Sequence, residues 1–459
     1  STWVYSKGSE TSKLTISGGT VNGNVASVNY DSAAEKQARV FIEGGEVTGT
    51  LGTYTYSNGL VATDDTSMAT IKVSGGTFSS PVDKRYCDEG YVPVENDDNT
   101  YGVQKQVLAK IGETAYYTMD EAFHAVQKDE TIVMQRDYTT GAEQYSGNKS
   151  FAIDLNDKTW TYTGTNTNHA AFEINYPNVT LTVKNGTVAS NSMVGLIPSV
   201  EGGTAYDNSG LVFEKVTMTA NGYSGIETNG NNTNDTVTLR NSTLNVPNGF
   251  GIYFPSSGKL TIDNSQINAK TMGVQVCSGS LSINAGSAIT VTGDAVPKTE
   301  NDGAIQDGAA ISIVNRTGYK GLGDVTVTGG TFTAKPGNAA IKAYGWADKT
   351  ASEWADAGKY IDVSGGTFSS AVKEEYCGTG YIPTTNSDGT HTVKEGVYVA
   401  KVDNVKYETL QAAIDAASRN ATVTMLANTR ENVTISTNNL TLDLNGHTLN
   451  GSTGERKPA

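Results

Sequence analysis

Cysteine is nearly absent from this sequence of 459 residues. Cys87, Cys277 and Cys377 are too few for a disulfide framework, and scaffolds that depend on bridges are small and cysteine-dense. Charge is also sparse, at 18% of residues, and basic residues are the scarcer sign, 33 Lys and Arg against 48 Asp and Glu. A net charge of −15 with no basic cluster excludes a nucleic-acid binder, which needs a cationic stripe to displace counterions. An anionic membrane surface would repel the same chain. No apolar run approaches the length of about 18 residues needed to span a bilayer, so no segment reads as membrane-spanning. The sequence opens Ser1-Thr2-Trp3 without Met or a signal peptide, and is expected to be a mature, excised or windowed piece of something longer.

What is abundant is threonine, which outnumbers even the 51 glycines, while prolines number only 10. Thr suits a pleated, half-buried surface and Gly suits tight corners, so many short strands joined by polar turns are expected. Helical bundles, coiled coils and collagen are excluded by the same profile.

A short segment type recurs along the chain: apolar-x-apolar, a few polar or Gly residues, then Thr and an apolar residue. Clear copies lie at 14–21 (LTISGGTV), 71–78 (IKVSGGTF), 181–188 (LTVKNGTV) and 237–244 (VTLRNSTL), and others start at Leu260, Leu281, Val325 and Ile361. A shorter strand precedes most copies, centred on Ile226, Ile252, Val274, Ile311 and Ile341. Strand lengths repeat while loops vary, which is the signature of a solenoid whose coils stack and whose corners are free. In the best run successive copies start at Val237, Leu260 and Leu281, a step that suits one turn of a parallel β-helix with three short strands per coil. Alternation places Leu, Ile and Val inside and Thr, Ser, Lys and Asp outside. The expected class is all-β, a parallel β-helix.

A longer repeat overlies the coils. Residues 71–104 and 361–394 align without a gap at an offset of 290, with 19 of 34 positions identical. Each copy runs from SGGTFSS through Tyr-Cys to Gly-Tyr-x-Pro and ends in a hairpin-like stretch, as a cap over an open end would. Each is followed by an apolar hairpin and a short amphipathic helix, with Thr118 and Glu121 spaced as a capping box and Thr409 as an N-cap. The expected organisation is residues 1–106 as the rear of one β-helix with its cap, 107–396 as a complete one, and 397–459 as the front of the next.

Three pieces carry a family resemblance: the Tyr-x-Thr-Leu-Gln-Ala-Ala-Ile-Asp-Ala-Ala stretch from Tyr407, the Leu-Asp-Leu-Asn-Gly-His-Thr-Leu strand from Leu442, and the SGGTFSS…YC…GY cap. The combination resembles repetitive surface or secreted proteins of Gram-positive gut bacteria. The resemblance implies right-handed, pectate-lyase-like β-helices and an extracellular or bacterial cell-surface location, but no assigned activity.

Chemistry is hard to find. A polygalacturonase-like pattern needs clustered Asp pairs with Gly-His-Gly and Arg-Ile-Lys. Asp64-Asp65 and Asp97-Asp98 exist without either other motif, and Gly446-His447-Thr448 sits in a repeated structural strand. Carboxylates on the coils come singly, as at Glu227 and Asp263, rather than in the column that a Ca²⁺-dependent lyase requires. The four histidines are scattered, and the cysteines read as small buried hydrophobes. No catalytic residue, metal ligand or cofactor is assigned, and the protein is read as a non-enzyme. One long corner stands out for its aromatic and acidic residues, Tyr344, Trp346, Asp348, Trp354, Asp356 and Tyr360, and is the candidate for binding a glycan, a host surface ligand or another partner.

The two ends are complementary. Joining Ala459 to Ser1 places Asp443 ahead of Leu14 by nearly the same stretch of chain that separates Asp154 from Leu181 in the middle copy. Trp3, Leu14, Ile16, Leu440, Leu442, Leu444 and Leu449 are therefore the candidate subunit junction. The expectation is a structural subunit of an extracellular filament or surface fibre, assembling head to tail with copies of itself and adding an adhesive role. The alternative is a polysaccharide-active or carbohydrate-binding β-helix protein.

Overall fold

The computed structural model describes residues 1–6, 11–30, 38–56, 58–64, 69–199 and 205–451. Across them the chain is all-β and repeat-like, with two short α-helices among the described residues, α1 (Met119–Ala125) and α2 (Leu410–Ala416). It divides into two compact units, residues 1–126 with 131–137, and residues 127–130 with 138–459.

The first unit is built from triplets of strands. Thr2–Ser6, Val25–Asn29 and Leu51–Tyr56 pair in parallel, as do Ser12–Ile16, Ala38–Ile42 and Ala69–Val73. A third, shorter file joins Thr20–Val21, Glu46–Val47 and Thr77–Phe78. Registers align like residues, Leu14 beside Val40 beside Ile71 and Ile16 beside Ile42 beside Val73, and these side chains form a continuous core. Tyr91–Glu95 and Tyr101–Lys105 follow these files as an antiparallel hairpin whose Tyr101 pairs with Phe78. Tyr86 and Cys87 are buried in that core. The α1 capping box forms as expected, with Glu121 N–H donating to Thr118 Oγ1 at 3.2 Å and Thr118 N–H donating to Glu121 Oε2 at 3.0 Å.

The second unit repeats the theme on a longer scale. One file of parallel strands places Leu181, Leu211, Val237, Leu260, Leu281, Val325 and Ile361 side by side, and two residues further on Val183, Phe213, Leu239, Ile262, Ile283, Val327 and Val363. A nine-stranded sheet from Gln144–Tyr145 to Thr350–Ser352 forms another wall. Along it Ile226, Ile252, Val274, Ile311 and Ile341 are in register and buried, the column expected from sequence. Burying such a side chain stabilises the fold by about 1.5–3 kcal/mol. The repeated cap recurs in detail: Val363 bridges Cys377 as Val73 bridges Cys87, and Tyr381–Thr385 pairs antiparallel with His391–Glu395. Cys87, Cys277 and Cys377 are all free thiols.

Polar ladders hold the corners. Asn178, Asn208 and Asn234 all take positive φ, at 59°, 57° and 59°. Asn tolerates this left-handed region because its short amide bonds locally. Their amides chain together, Asn208 Nδ2 donating to Asn178 Oδ1 at 3.2 Å and Asn234 Nδ2 to Asn208 Oδ1 at 3.1 Å. A second corner stacks Asn185, Lys215, Asn241 and Asn264 in the same conformation, with Asn264 Nδ2 donating to Asn241 Oδ1 at 2.7 Å. Next to it Ser242, Ser265 and Ser287 use their hydroxyls to accept the backbone N–H of Val216, Ser242 and Ser265.

Candidate functional site

One face of the nine-stranded sheet holds the Ile226–Ile341 column, and neighbouring positions alternate to the other side. There the register places Glu227 beside Tyr253, then Gln275, then Ser312. Tyr253, Gln275 and Ser312 are nevertheless buried. The cover is the segment 292–310, an insertion between the strands Ala288–Val291 and Ile311–Arg316. Gln275 pins it from below: Nε2 donates to Ile305 O at 2.8 Å, and Oε1 accepts the Ile305 N–H at 2.8 Å. Thr271 Oγ1 donates to Gln306 Oε1 at 2.7 Å, and Asp307 Oδ2 accepts from Ser312 Oγ and Tyr344 Oη.

Arg316 clamps the insertion from its other end. It is buried, and Nη1 donates to Tyr253 Oη at 2.8 Å and to Gly303 O at 2.7 Å, while Nη2 donates to Asn301 O. Its guanidinium lies 5.0 Å from the centre of the Tyr319 ring. Tyr319 Oη is 2.9 Å from Tyr253 Oη and donates to Asp302 Oδ1 at 3.1 Å. Burial works against the Arg316 charge, yet the tyrosine hydroxyls and the Cys277 thiol around it hold its pKa above the ordinary value. The Cys277 thiol is itself pushed up to about 12, chiefly by burial, and is not a nucleophile at neutral pH.

Between this clamp and the ends of the strands Ser224–Thr228 and Phe250–Phe254 lies a cavity of about 470 Å³, bordered by Glu227, Asn229, Asn231, Tyr253, Asp302 and Tyr319. Two of its lining oxygens, Glu227 Oε1 and Thr228 Oγ1, are buried without a hydrogen-bond partner. Burial raises the Glu227 carboxyl pKa, with the Ser224 hydroxyl opposing the shift. One strand-end away, Asp235 is fully buried and burial lifts its carboxyl to about 7.

The aromatic corner singled out in the sequence is divided by the structure. Tyr344 and Trp346 are buried against Phe250, Met272, Cys277 and Val314. The reason is that Ile341–Ala347 continues as a strand beyond the expected corner, pairing with Ile311–Arg316 up to Trp346 beside Arg316. It then folds back as a hairpin onto Thr350–Ser352, turning at Asp348 and Lys349 with φ of 48° and 62°. Trp354 packs on Tyr360 at 5.2 Å, and Asp356 pairs with Lys359 at 2.8 Å. The six residues therefore do not converge on one surface.

Of the junction candidates, Ile16 is buried, and Leu14, Leu440, Leu442 and Leu449 are partly buried against the core of their own segment. Trp3 lies on an outer face, stacked on Tyr54 at 5.8 Å, and Leu444 is 43% exposed.

The histidines stay apart: His124 Nδ1 is 2.8 Å from Asp120 O, His169 Nδ1 is 2.9 Å from Glu173 Oε1, and His391 Nδ1 is 3.1 Å from Thr385 Oγ1. His447 lies in the α2-proximal segment with its N–H bonded to Leu444 O. Asp64 pairs with Arg85, Asp98 closes a turn on Thr100, and Asp65 lies outside the described residues. Among the described residues no three His, Cys, Asp or Glu side chains are grouped to hold a metal ion, and no helix is long and apolar enough to cross a membrane. No protein-family model matches the chain, and no curated protein or solved structure matches it either.

Proposed function

We propose that this protein is a structural subunit of an extracellular bacterial filament or surface fibre. Its strand files are read as coils of right-handed parallel β-helices, joined head to tail by completing a split β-helix between neighbouring copies. The observation that carries this reading is a matched pair of sheet edges. Among the described residues, Thr2–Ser6, Ser12–Ile16 and Thr20–Val21 are each terminal in their sheets, and so is Thr441–Asp443. Leu440, Leu442 and Leu449 flank one edge, and Val4, Leu14 and Val21 the other, all only partly buried.

The middle of the chain supplies the template for their union. The stretch 151–160 corresponds in sequence to 440–449, and 181–188 to 14–21. There Phe151 pairs with Leu181, Ala152 with Thr182, Ile153 with Val183, and Trp160 with Val188. The same register sets Leu440 on Leu14, Thr441 on Thr15, Leu442 on Ile16 and Leu449 on Val21 of the next copy. Leu155 is fully buried, covered by Gly186, whereas its counterpart Leu444 is 43% exposed. A copy bringing Gly19 over Leu444 would bury it in the same way. Such a contact is heterologous, and it propagates unless its rotation closes a ring.

The test is a register-specific cross-link. An equimolar mixture of Thr15→Cys and Thr441→Cys proteins should form disulfide-linked pairs on oxidation, and the double variant should form a ladder of multimers. Electron micrographs of the parent protein should show filaments. A protein that stays monodisperse and uncross-linked at every concentration would refute the reading.

A further inference from the structure

We infer that the cavity under the 292–310 insertion is a binding site for a neutral, hydroxyl-rich ligand of the oligosaccharide class. Four observations lead there. The recess is about 470 Å³, within the size range of small-molecule sites. Two lining oxygens, Glu227 Oε1 and Thr228 Oγ1, are buried with no partner in the protein, and buried polar atoms are otherwise almost always satisfied. Both accept hydrogen bonds, and a sugar hydroxyl donates and accepts at once. The Tyr253 and Tyr319 rings add apolar faces beside the amides of Asn229 and Asn231.

Charge selects against acidic sugars. The nearby cations are already engaged: Arg316 is bound to Tyr253, Gly303 and Asn301, and Lys320 Nζ donates to Asn231 O at 2.7 Å. Glu227 and Asp302 are the ionisable acids on the wall, so a uronate would meet carboxylates with no free basic group to offset them. The site lies wholly within the second unit and owes nothing to assembly, so failure of the cross-linking test leaves it standing.

The experiment titrates the full chain with cellohexaose, xylohexaose, mannohexaose, maltohexaose and β-1,4-galactohexaose, and with hexagalacturonate as the acidic counterpart. Calorimetry and saturation-transfer NMR provide the readouts. At least one neutral series should bind saturably, and hexagalacturonate should not. Glu227→Gln and Tyr319→Ala should each weaken binding by about tenfold or more, equivalent to one lost strong contact, and Tyr319→Phe, which keeps the ring, by less. Thermal midpoints identify any variant that fails to fold, and Glu227→Gln, of unchanged size, keeps the test decisive if Tyr319→Ala does so. No binding by any neutral series, equal binding of hexagalacturonate, or undiminished binding by the folded variants would each overturn the assignment.

Discussion

Lys215 is the exception in an otherwise asparagine ladder, and replacing it tests how much that ladder contributes. At the corner between two strand files Asn185, Lys215, Asn241 and Asn264 stack with φ of 57°, 54°, 50° and 43°. An L-residue in this region is disfavoured by roughly 1–2 kcal/mol, and Asn recovers part of that through local bonding. Lys has no such recourse, and its long side chain also interrupts the amide chain that Asn264 and Asn241 form at 2.7 Å. Lys215→Asn relieves part of the backbone strain and offers one new amide bond, worth about 1 kcal/mol net when formed. The expected gain is about 1–2 kcal/mol, and a rise of roughly 2–4 °C in the melting midpoint for a unit of this size. Urea melts followed by circular dichroism give the first quantity and calorimetry the second. Lys215→Gly separates the two contributions, since it relieves φ but adds no amide and loosens the unfolded chain. An unchanged or lowered midpoint for Lys215→Asn would refute the reasoning. Equal gains for Asn and Gly would refute the ladder part of it.

Other consequences are sharper in sign than in size. Asp235, buried with a pKa of about 7 against an ordinary 3.8, binds its proton more tightly folded than unfolded. Its contribution to stability is therefore greatest below pH 4, falls as pH rises to 7 and is flat above, by on the order of 4 kcal/mol at most. Asp235→Asn should flatten the pH dependence of the urea midpoint across that window, and an unaltered slope would contradict the burial argument. Ile252→Ala, in the middle of the Ile226–Ile341 column, should cost about 2–5 kcal/mol by chemical denaturation, and a near-neutral result would mean that the column does not face the core. Arg316→Lys cannot reach Gly303 O, Asn301 O and Tyr253 Oη with one fork, so hydrogen exchange should accelerate in 296–304. Exchange there that matches the parent protein would show that the contacts of Gln275, Thr271 and Asp307 hold the insertion without Arg316.

The all-β class, the strand columns and the duplicated caps were legible because each rests on a pattern that recurs. Ile226, Ile252, Val274, Ile311 and Ile341 announce themselves by spacing, and a 19-in-34 identity at an offset of 290 leaves the caps little freedom. The capping box of Thr118 and Glu121 was equally readable, being local. The cavity was not. Glu227 reads as a lone carboxylate, and Tyr253, Arg316 and Tyr319 belong to no motif, because the clamp is assembled by a non-repeating insertion that touches three different strands of the sheet. Its one trace is length: the interval before Ile311 is stretched and carries Asp, Lys and Pro where its neighbours carry short turns. Tyr344 and Trp346 misled for a related reason. Aromatics next to a long loop look available for a ligand, but residues 341–347 extend the sheet and bury them under the same insertion.

This division of labour follows from how the strands stack. Inward positions such as Phe213, beside Val183 and Leu239, are constrained by neighbours one repeat away on either side, so their apolar character recurs along the chain by packing alone. Corners carry no such constraint, provided that the chain re-enters at the correct register. The 292–310 insertion meets that condition: Ala288–Val291 and Ile311–Arg316 both remain in register with the strands beside them. A polar recess can therefore be built on the outside without altering the inside. The cost is that covering the sheet buries polar groups that would otherwise be hydrated, and each needs a partner. Gln275 and Ser312 find theirs in the insertion itself, and so do Nη1 and Nη2 of Arg316, whose Nε is left without one. Glu227 Oε1 and Thr228 Oγ1, on the wall of the cavity, do not. Unpartnered oxygens on the wall of an open recess have the polarity of a site for a hydrogen-bonding ligand, whereas a purely structural cover would leave such groups in water.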